Sequence, residues 1–418
     1  MNQVMSQYTY EEHSQRLRNL QLAERNVVSC IRKNMITNYI PGQFIYAGKC
    51  PGTPQEDEKF FTYLKECGVG IVQLWSGWFE GRWRGKEMFR PADPEGTRRF
   101  LEEAHNYGIK VLPYTATNFF ERTDEYFNPT WAHEQSFDLV EFYYHLAHCS
   151  ANSPGWRTQI LHQLTALLDD YDFDGIYNDT GYIRKSDYPH VKASMEVADD
   201  ICAFREARDF DGGMQDMMAI IYSEVKRRNG IVKIHKDGAD TIHTTEKIYD
   251  YLWVGEGVDD INVVREKTKC YVPYVVPDFN FATQNESERY LNTIPFMQFP
   301  VLRDGTTGIA SANAAVPDTV LAMQWLKLYK KMATEAAWFY MDVEAPGIIR
   351  RKGLSTVVSL FVNLEFYAVL ANFSEHEDMV VVNGQFVVVD PVSGEKQIGS
   401  EVLLPPRGIV VIKRKNLE

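Results

Sequence analysis

The chain has 418 residues, of which 44% are hydrophobic, 13% aromatic and 24% charged. These are the proportions of an ordinary folded protein and exclude disordered and fibrous chains. Its 44 Lys and Arg against 57 Asp and Glu leave a net charge of -13, which repels nucleic-acid phosphates and anionic lipid, and no basic patch overrides it.

The segment Met1 to Glu12 is polar, and no run of about 18 apolar residues occurs in the chain, so neither a signal segment nor a membrane span is expected. The six cysteines, at 30, 50, 67, 149, 202 and 270, never form a C-x-x-C pair. They read as free, mostly buried thiols of a reducing, cytoplasmic setting. Residues 1 to 40 form a helix-prone lead-in, with Leu17, Leu20, Leu22 and Val27 or Val28 able to dock on a barrel that begins at residue 41.

From residue 41 short apolar runs alternate with helices that carry recognisable starts, the pattern of parallel strands. Gln43 to Ala47 is the first strand, and Thr53-Pro54 opens a helix with Phe60, Phe61, Leu64 and Cys67 on one face before Gly68. Ile71 to Trp75 is the second strand. Asp93-Pro94 opens the next helix, with Phe100, Leu101 and Ala104 inward. Lys110 to Thr115 is the third strand, and a wide insertion follows up to Cys149. Ser153-Pro154 starts a helix bearing Trp156, Ile160, Leu161, Leu164 and Leu168, and Gly175 to Asn178 is the fourth strand.

A Met-rich helix around Met214 to Arg228 leads into the fifth strand, Ile231 to His235. Met214, Met217 and Met218 suit a helix core better than a binding surface. Tyr251 to Gly255, Tyr271 to Val276 and Phe296 to Leu302 complete eight strands, closed by a helix from Asp318 to Ala337. Eight strands with intervening helices predict a (β/α)8 TIM barrel over 41 to 350. From 351 to 418 short alternating runs split by Asn383-Gly384 and Ser393-Gly394 turns predict a small antiparallel β-sandwich, expected to stabilise the barrel without adding a catalytic residue.

Active sites of such barrels lie at the carboxyl ends of the strands. Those ends carry Tyr46, then Trp75 and Trp78, then Tyr114, Thr117 and Asn118, then Asn178 with Asp179. His235 and Asp237 follow strand five, Glu256 strand six, Asp278 strand seven, and Arg303 with Asp304 strand eight. Carboxylates ringed by tryptophan and tyrosine point to a sugar site, because aromatic faces stack on pyranose C-H surfaces while carboxylates act as acid, base or nucleophile.

In the segment Asp174-Gly-Ile-Tyr-Asn-Asp179, the second carboxylate reaches the mouth and the first caps the turn beneath. Asp179 is read as catalytic, against an Asx-turn or ion-pair role. Glu256, between glycines, is read as the general acid/base, with Asp237 and Asp278 as alternatives. The other strand-end residues are expected to bind substrate. His145 and His148 would make an i, i+3 ligand pair if on one helix, and His235 with Asp237 another, but the first strand lacks an H-x-H and no metal or other cofactor is expected. Gly81 to Glu87 falls one residue short of a phosphate loop and reads as a surface loop near the mouth.

The motifs Asn152-Ser-Pro-Gly-Trp-Arg157, Asp174-Gly-Ile-Tyr-Asn-Asp179, Trp253-Val-Gly-Glu256-Gly and Leu404-Pro-Pro-Arg-Gly408 make the chain from about residue 40 resemble a glycoside-hydrolase barrel of the retaining α-glycosidase type, α-galactosidase-like or α-fucosidase-like. The resemblance implies a strand-four Asp nucleophile and an acid/base carboxylate from a later strand. Tyr177 stands where the α-galactosidase pattern has Lys, and Thr180 where the α-fucosidase pattern has Gly, so the resemblance reaches the superfamily and not a substrate. Asp179 would attack the anomeric carbon while Glu256 protonates the leaving oxygen, with the two carboxyls about 5 to 10 Å apart. Two other readings stay open: a non-catalytic carbohydrate-binding barrel, and a lyase or transglycosylase using the same carboxylates. The expected partner is a carbohydrate, with no nucleic acid and no membrane, and a homo-oligomer is left open.

Overall fold

A computed structural model describes residues 9–27, 33–36, 44–47, 50–75, 78–79, 85–86, 88–132, 137–139, 144–182, 210–236, 238–269, 275–278, 286–303, 319–341, 347–397 and 399–415. By its internal contacts the chain divides into two units: 44–257 with 301–314, and 1–43 with 258–300 and 315–418.

The first unit alternates strands and helices. Helix Pro54–Cys67 begins where Thr53 accepts from the Glu56 amide and Glu56 accepts in return from the Thr53 amide, and it ends at Gly68 with φ of 80°. This reciprocal cap and left-handed glycine satisfy the orphan backbone groups at both ends. Asp93 and Ser153 cap Pro94–Asn106 and Pro154–Asp170 without the reciprocal bond, each accepting from an amide three residues on. Most of the residues the spacing marks inward are buried, among them Phe61, Leu64, Phe100, Leu101, Ile160 and Leu164, whereas Phe60, Leu161 and Leu168 are half-buried and Leu167 is buried instead.

Its strands are Phe44–Ala47, Ile71–Leu74, Lys110–Leu112 continued by Tyr114–Thr115, Gly175–Asn178, Ile231–His235 and Tyr251–Val254. The third is interrupted at Pro113, which has no amide to give a ladder. Each pairs in parallel with the next in the chain. Leu302–Arg303 pairs in parallel with Ile45 and Tyr46 of the first strand. The resulting order, eight, one, two, three, four, five, six, with every ladder parallel, is that of a (β/α)8 barrel. Gly175 is obligatory in this packing: at φ 139°, a Cβ there would lie 1.9 Å from the Ile231 carbonyl oxygen. The wide insertion holds a three-stranded antiparallel sheet of Phe119–Glu121, Tyr144–His148 and Phe137–Leu139, with Tyr144–His148 central.

The second unit is antiparallel. One sheet runs Lys33–Ile36, Ala337–Met341, Thr356–Val362, Phe366–Asn372, Ile409–Arg414, Phe386–Asp390 and Gly394–Gln397, and a smaller one joins Ile349–Arg351, Asp378–Val382 and Glu401–Leu404. Phe339, Leu360, Leu370 and Ile412 of the first sheet and Val380 and Leu404 of the second share one apolar core.

Several elements depart from the expectation. The eighth strand does not begin at Phe296, because Ile294–Phe296 is a 3-10 turn closed by Met297 in the left-handed region, and only Leu302–Arg303 is extended. The helix expected to reach Ala337 stops at Ala333, and Ala-Trp-Phe-Tyr-Met, Ala337–Met341, is a strand of the terminal sheet ahead of residue 351. Aromatic side chains favour a half-buried pleated surface. Of the run expected at Tyr271 to Val276, the described part is the strand Val275–Pro277. The lead-in helix, Tyr10–Val27, is expected to dock on the barrel; the described contacts place it on the terminal sheet. Ala23 and Leu20 pack in that core, and Asn19 Nδ2 donates to the Asn363 and Leu364 carbonyls, while Leu17 is exposed.

Candidate active site

Strand four delivers Asp179 to the mouth. Its amide donates to the Thr115 carbonyl at 2.8 Å, and Thr180 turns the chain away at φ 44°. Strand five ends on His235, whose side chain is 3% exposed and stacks on Trp253 of strand six, ring centroids 4.3 Å apart. After strand six, Gly255 and Gly257 take φ of 102° and 75° around Glu256, a conformation that favours glycine.

The imidazole lies between the two carboxylates. His235 Nδ1 is 2.6 Å from Asp179 Oδ1, and Nε2 is 3.1 Å from Glu256 Oε2. Contacts on opposite nitrogens of one ring keep these carboxylate oxygens within about 8 Å of each other, inside the span of glycosidase carboxyl pairs. Tyr114 Oη donates to Asp179 Oδ2 at 2.5 Å, and Tyr177 Oη lies 3.3 Å from His235 Nδ1. Asp179 and Glu256 remain open, 17% and 30% exposed. Tyr114, Tyr177 and Trp253 line the centre as a chain of ring contacts, centroids 5.7 and 5.3 Å apart, with Trp75 against Tyr114.

Other candidates have different surroundings. Asp174 sits at the opposite end of strand four, accepting from His105 Nε2, Lys110 Nζ and the Val111 amide. Asn178 is buried and its side chain is engaged by Thr117, so it ties strand ends together instead of facing Asp179. Buried Asn118 donates to the Thr180 carbonyl. Trp78 is 1% exposed and packs between Phe79 and Phe173, which makes it core and not a sugar platform.

Asp278 is buried in the other unit. Tyr46 and Arg303 hold strand positions, with only their backbones described. Asp237 and Asp304, and of Gly81 to Glu87 all but Gly85 and Lys86, lie outside the described residues. His145 and His148 lie on a strand, where residues three apart face opposite ways: His145 is exposed and His148 is buried against Phe119. Among the described residues Cys50, Cys67 and Cys149 are free thiols, and burial pushes the Cys149 thiol well above its ordinary value, away from a reactive thiolate.

Two roles were not assigned from the sequence. Tyr114, read as a substrate contact, holds Asp179 instead. Lys233 is fully buried beneath the site, donating to Gln73 Oε1 and lying 5.2 Å from the centre of the Trp253 ring. Strand alternation in Ile231-Val-Lys-Ile-His235 puts Lys233 on the side of His235, a signal legible in the sequence.

No protein-family profile matches the chain, and no curated protein matches it. Solved structures match in fold. A maltogenic α-amylase, AmyB from Thermotoga neapolitana, gives a TM-score of 0.56 at 12% identity over 90% of this chain and 97% of that one. Trehalulose synthase MutB from Pseudomonas mesoacidophila MX-45 gives 0.55 at 10% over 90% and 99%. An α-amylase from Geobacillus thermoleovorans, complexed with acarbose, gives 0.55 at 11% over 91% and 100%. These matches show the fold alone, and they do not show the α-galactosidase or α-fucosidase type. The chain thus has the fold of a (β/α)8 barrel with a carboxy-terminal antiparallel β domain, and no described helix is long and apolar enough to cross a membrane.

Proposed function

We propose that the protein is a glycoside hydrolase that cleaves a glycosidic bond by retention, with Asp179 as nucleophile and Glu256 as general acid/base. One observation carries the reading: Asp179 and Glu256 contact the two nitrogens of a single buried imidazole at the carboxyl ends of strands four and six. Donors facing both oxygens of Asp179 suit an ionised carboxylate, and its 17% exposure leaves it reachable by an anomeric carbon. Glu256, the more exposed of the two, is placed to reach a leaving oxygen. Trp75, half-buried beside Tyr114, offers ring surface for a pyranose. The similar structures include proteins named as α-amylases and a trehalulose synthase, which favours an α-linked glucoside as the first substrate to try.

In the first half-reaction the Asp179 oxygen bonds to the anomeric carbon as the glycosidic bond breaks and Glu256 gives its proton to the leaving oxygen. In the second, Glu256 takes a proton from water, which displaces Asp179 and restores the anomeric configuration. The test is hydrolysis of a panel of aryl α- and β-glycosides. The expected result is cleavage of an α-glycoside, with Glu256→Gln lowering turnover of a phenyl glycoside at least about a hundredfold and that of a dinitrophenyl glycoside much less, since a good leaving group needs no acid. Sugar binding by calorimetry without cleavage of any panel member would favour the carbohydrate-binding reading.

A further inference from the structure

The residue after the proposed nucleophile has a backbone conformation that its type resists. Thr180 has φ of 44°, and a β-branched side chain in the left-handed region crowds its own backbone. Asn and Asp ease that conformation with a local side-chain hydrogen bond, but the Thr180 hydroxyl is buried with no hydrogen-bond partner among the described residues. The surroundings must therefore impose it. Two backbone anchors enclose the turn: the Asp179 amide donates to the Thr115 carbonyl at 2.8 Å, and the Gly181 amide donates to the His235 carbonyl at 3.2 Å. Between them, Asn118 Nδ2 donates to the Thr180 carbonyl at 2.5 Å. Asn118 is itself fixed. Its carbonyl accepts from the Cys149 amide at 2.8 Å, and the preceding Thr117 carbonyl accepts from Trp156 Nε1 at 3.0 Å. Its Oδ1 is buried without a hydrogen-bond partner, and among the described residues its side chain hydrogen-bonds to Thr180 alone. An apolar residue would fill this place without stranding an oxygen, so that one bond is what the amide contributes.

We infer that Asn118 is a positioning residue, which holds Thr180 in the left-handed region and so fixes Asp179 against His235. The sequence marks Asn118 as a substrate contact, but at 0% exposure it offers a sugar no surface. Its part is indirect. With both ends of the turn anchored, a return of Thr180 to negative φ breaks one of the two backbone bonds, and either break moves Asp179 or His235 out of their 2.6 Å contact. The wide insertion thereby bears on the nucleophile, since Cys149 at its end holds Asn118 and Asn118 holds the turn. The inference rests on the glycosidase reading for its effect on turnover but not for the geometry of the turn.

Asn118→Ala, Thr180→Gly and the two combined test this. Glycine takes the left-handed region without steric cost, so the Asn118 bond has little left to hold when Thr180 is replaced. On an aryl glycoside that the panel shows to be cleaved, Asn118→Ala should lower kcat per folded molecule about tenfold to a hundredfold, with KM within about threefold of wild type. In the Thr180→Gly chain the same substitution should lower kcat less than about threefold, because the two residues act through one contact. A kcat loss of equal size in both chains, or an effect confined to KM, would overturn the inference. Crystal structures give a reading independent of activity. In Asn118→Ala, Thr180 should take negative φ with Asp179 and His235 drawn apart, and in the double variant the contact should be kept. Thr180 still left-handed in Asn118→Ala, with Asp179 in place, would overturn the inference. Folding of Asn118→Ala only in company with Thr180→Gly would support it, whereas failure of both to fold would make Asn118 a support of the barrel and not of the turn. If no glycoside is cleaved but the structures change as expected, the role of Asn118 stands and the glycosidase reading falls.

Discussion

Asp174 and Asp179 flank the same short strand, yet their neighbours differ in kind. Asp174 is taken up by the His105 ring, the Lys110 ammonium and the Val111 amide below the sheet, whereas Asp179 meets Tyr114 and His235 at the mouth and stays partly open. Asp174→Asn is therefore expected to cost about 1.5 to 3 kcal/mol of stability while leaving turnover per folded molecule near normal. Denaturant melts alongside kcat check this, and a stable variant with lost turnover would contradict it. The contrast was legible in the sequence, because a strand's two ends point to opposite faces of a barrel. The Asp179 to His235 contact was not. It depends on neighbouring strands finishing level, with Ile234 opposite Asn178, and register is set by packing that no local pattern reports.

At the scale of elements, helix starts were legible because caps act locally: Thr53, Asp93 and Ser153 each do what the residue type predicts. Element ends after Phe296 were not, since an apolar aromatic run serves a helix, a strand or a 3-10 turn and tertiary partners decide. The terminal sheet shows how such partners act. Glu365, in the hairpin between Thr356–Val362 and Phe366–Asn372, receives Lys413 Nζ at 2.7 Å and the Tyr367 hydroxyl. Burial alone would raise the Glu365 carboxyl. The Lys413 and Tyr367 hydrogen bonds, with the Lys413 and Lys331 charges, outweigh it and hold the group below its ordinary 4.5.

That stabilisation is fully present above the ordinary carboxylate value and is lost as pH falls through the lowered one. Glu365→Gln should thus cost about 1 kcal/mol at pH 7, and the gap from wild type should close on acidification to about pH 3. Urea melts at the two pH values measure it, and an equal gap at both would mean the charge contributes nothing.

For the whole molecule, alternation of strand and helix was enough to read a barrel, since each βα unit carries its own pattern. The division of the chain was less local: the lead-in helix and Ala337–Met341 belong to the same unit as the terminal sheet, joined by contacts far apart in sequence. The central claim is that Asp179 carries the covalent step of glycoside cleavage, and the most direct measurement is chemical rescue of Asp179→Gly with azide on a dinitrophenyl glycoside. The account predicts that the variant is nearly inert alone, that azide restores turnover, and that the glycosyl azide formed has the anomeric configuration opposite to that of the substrate, because a single displacement inverts the centre. A folded Asp179→Gly protein with near wild-type turnover in the absence of azide would contradict it.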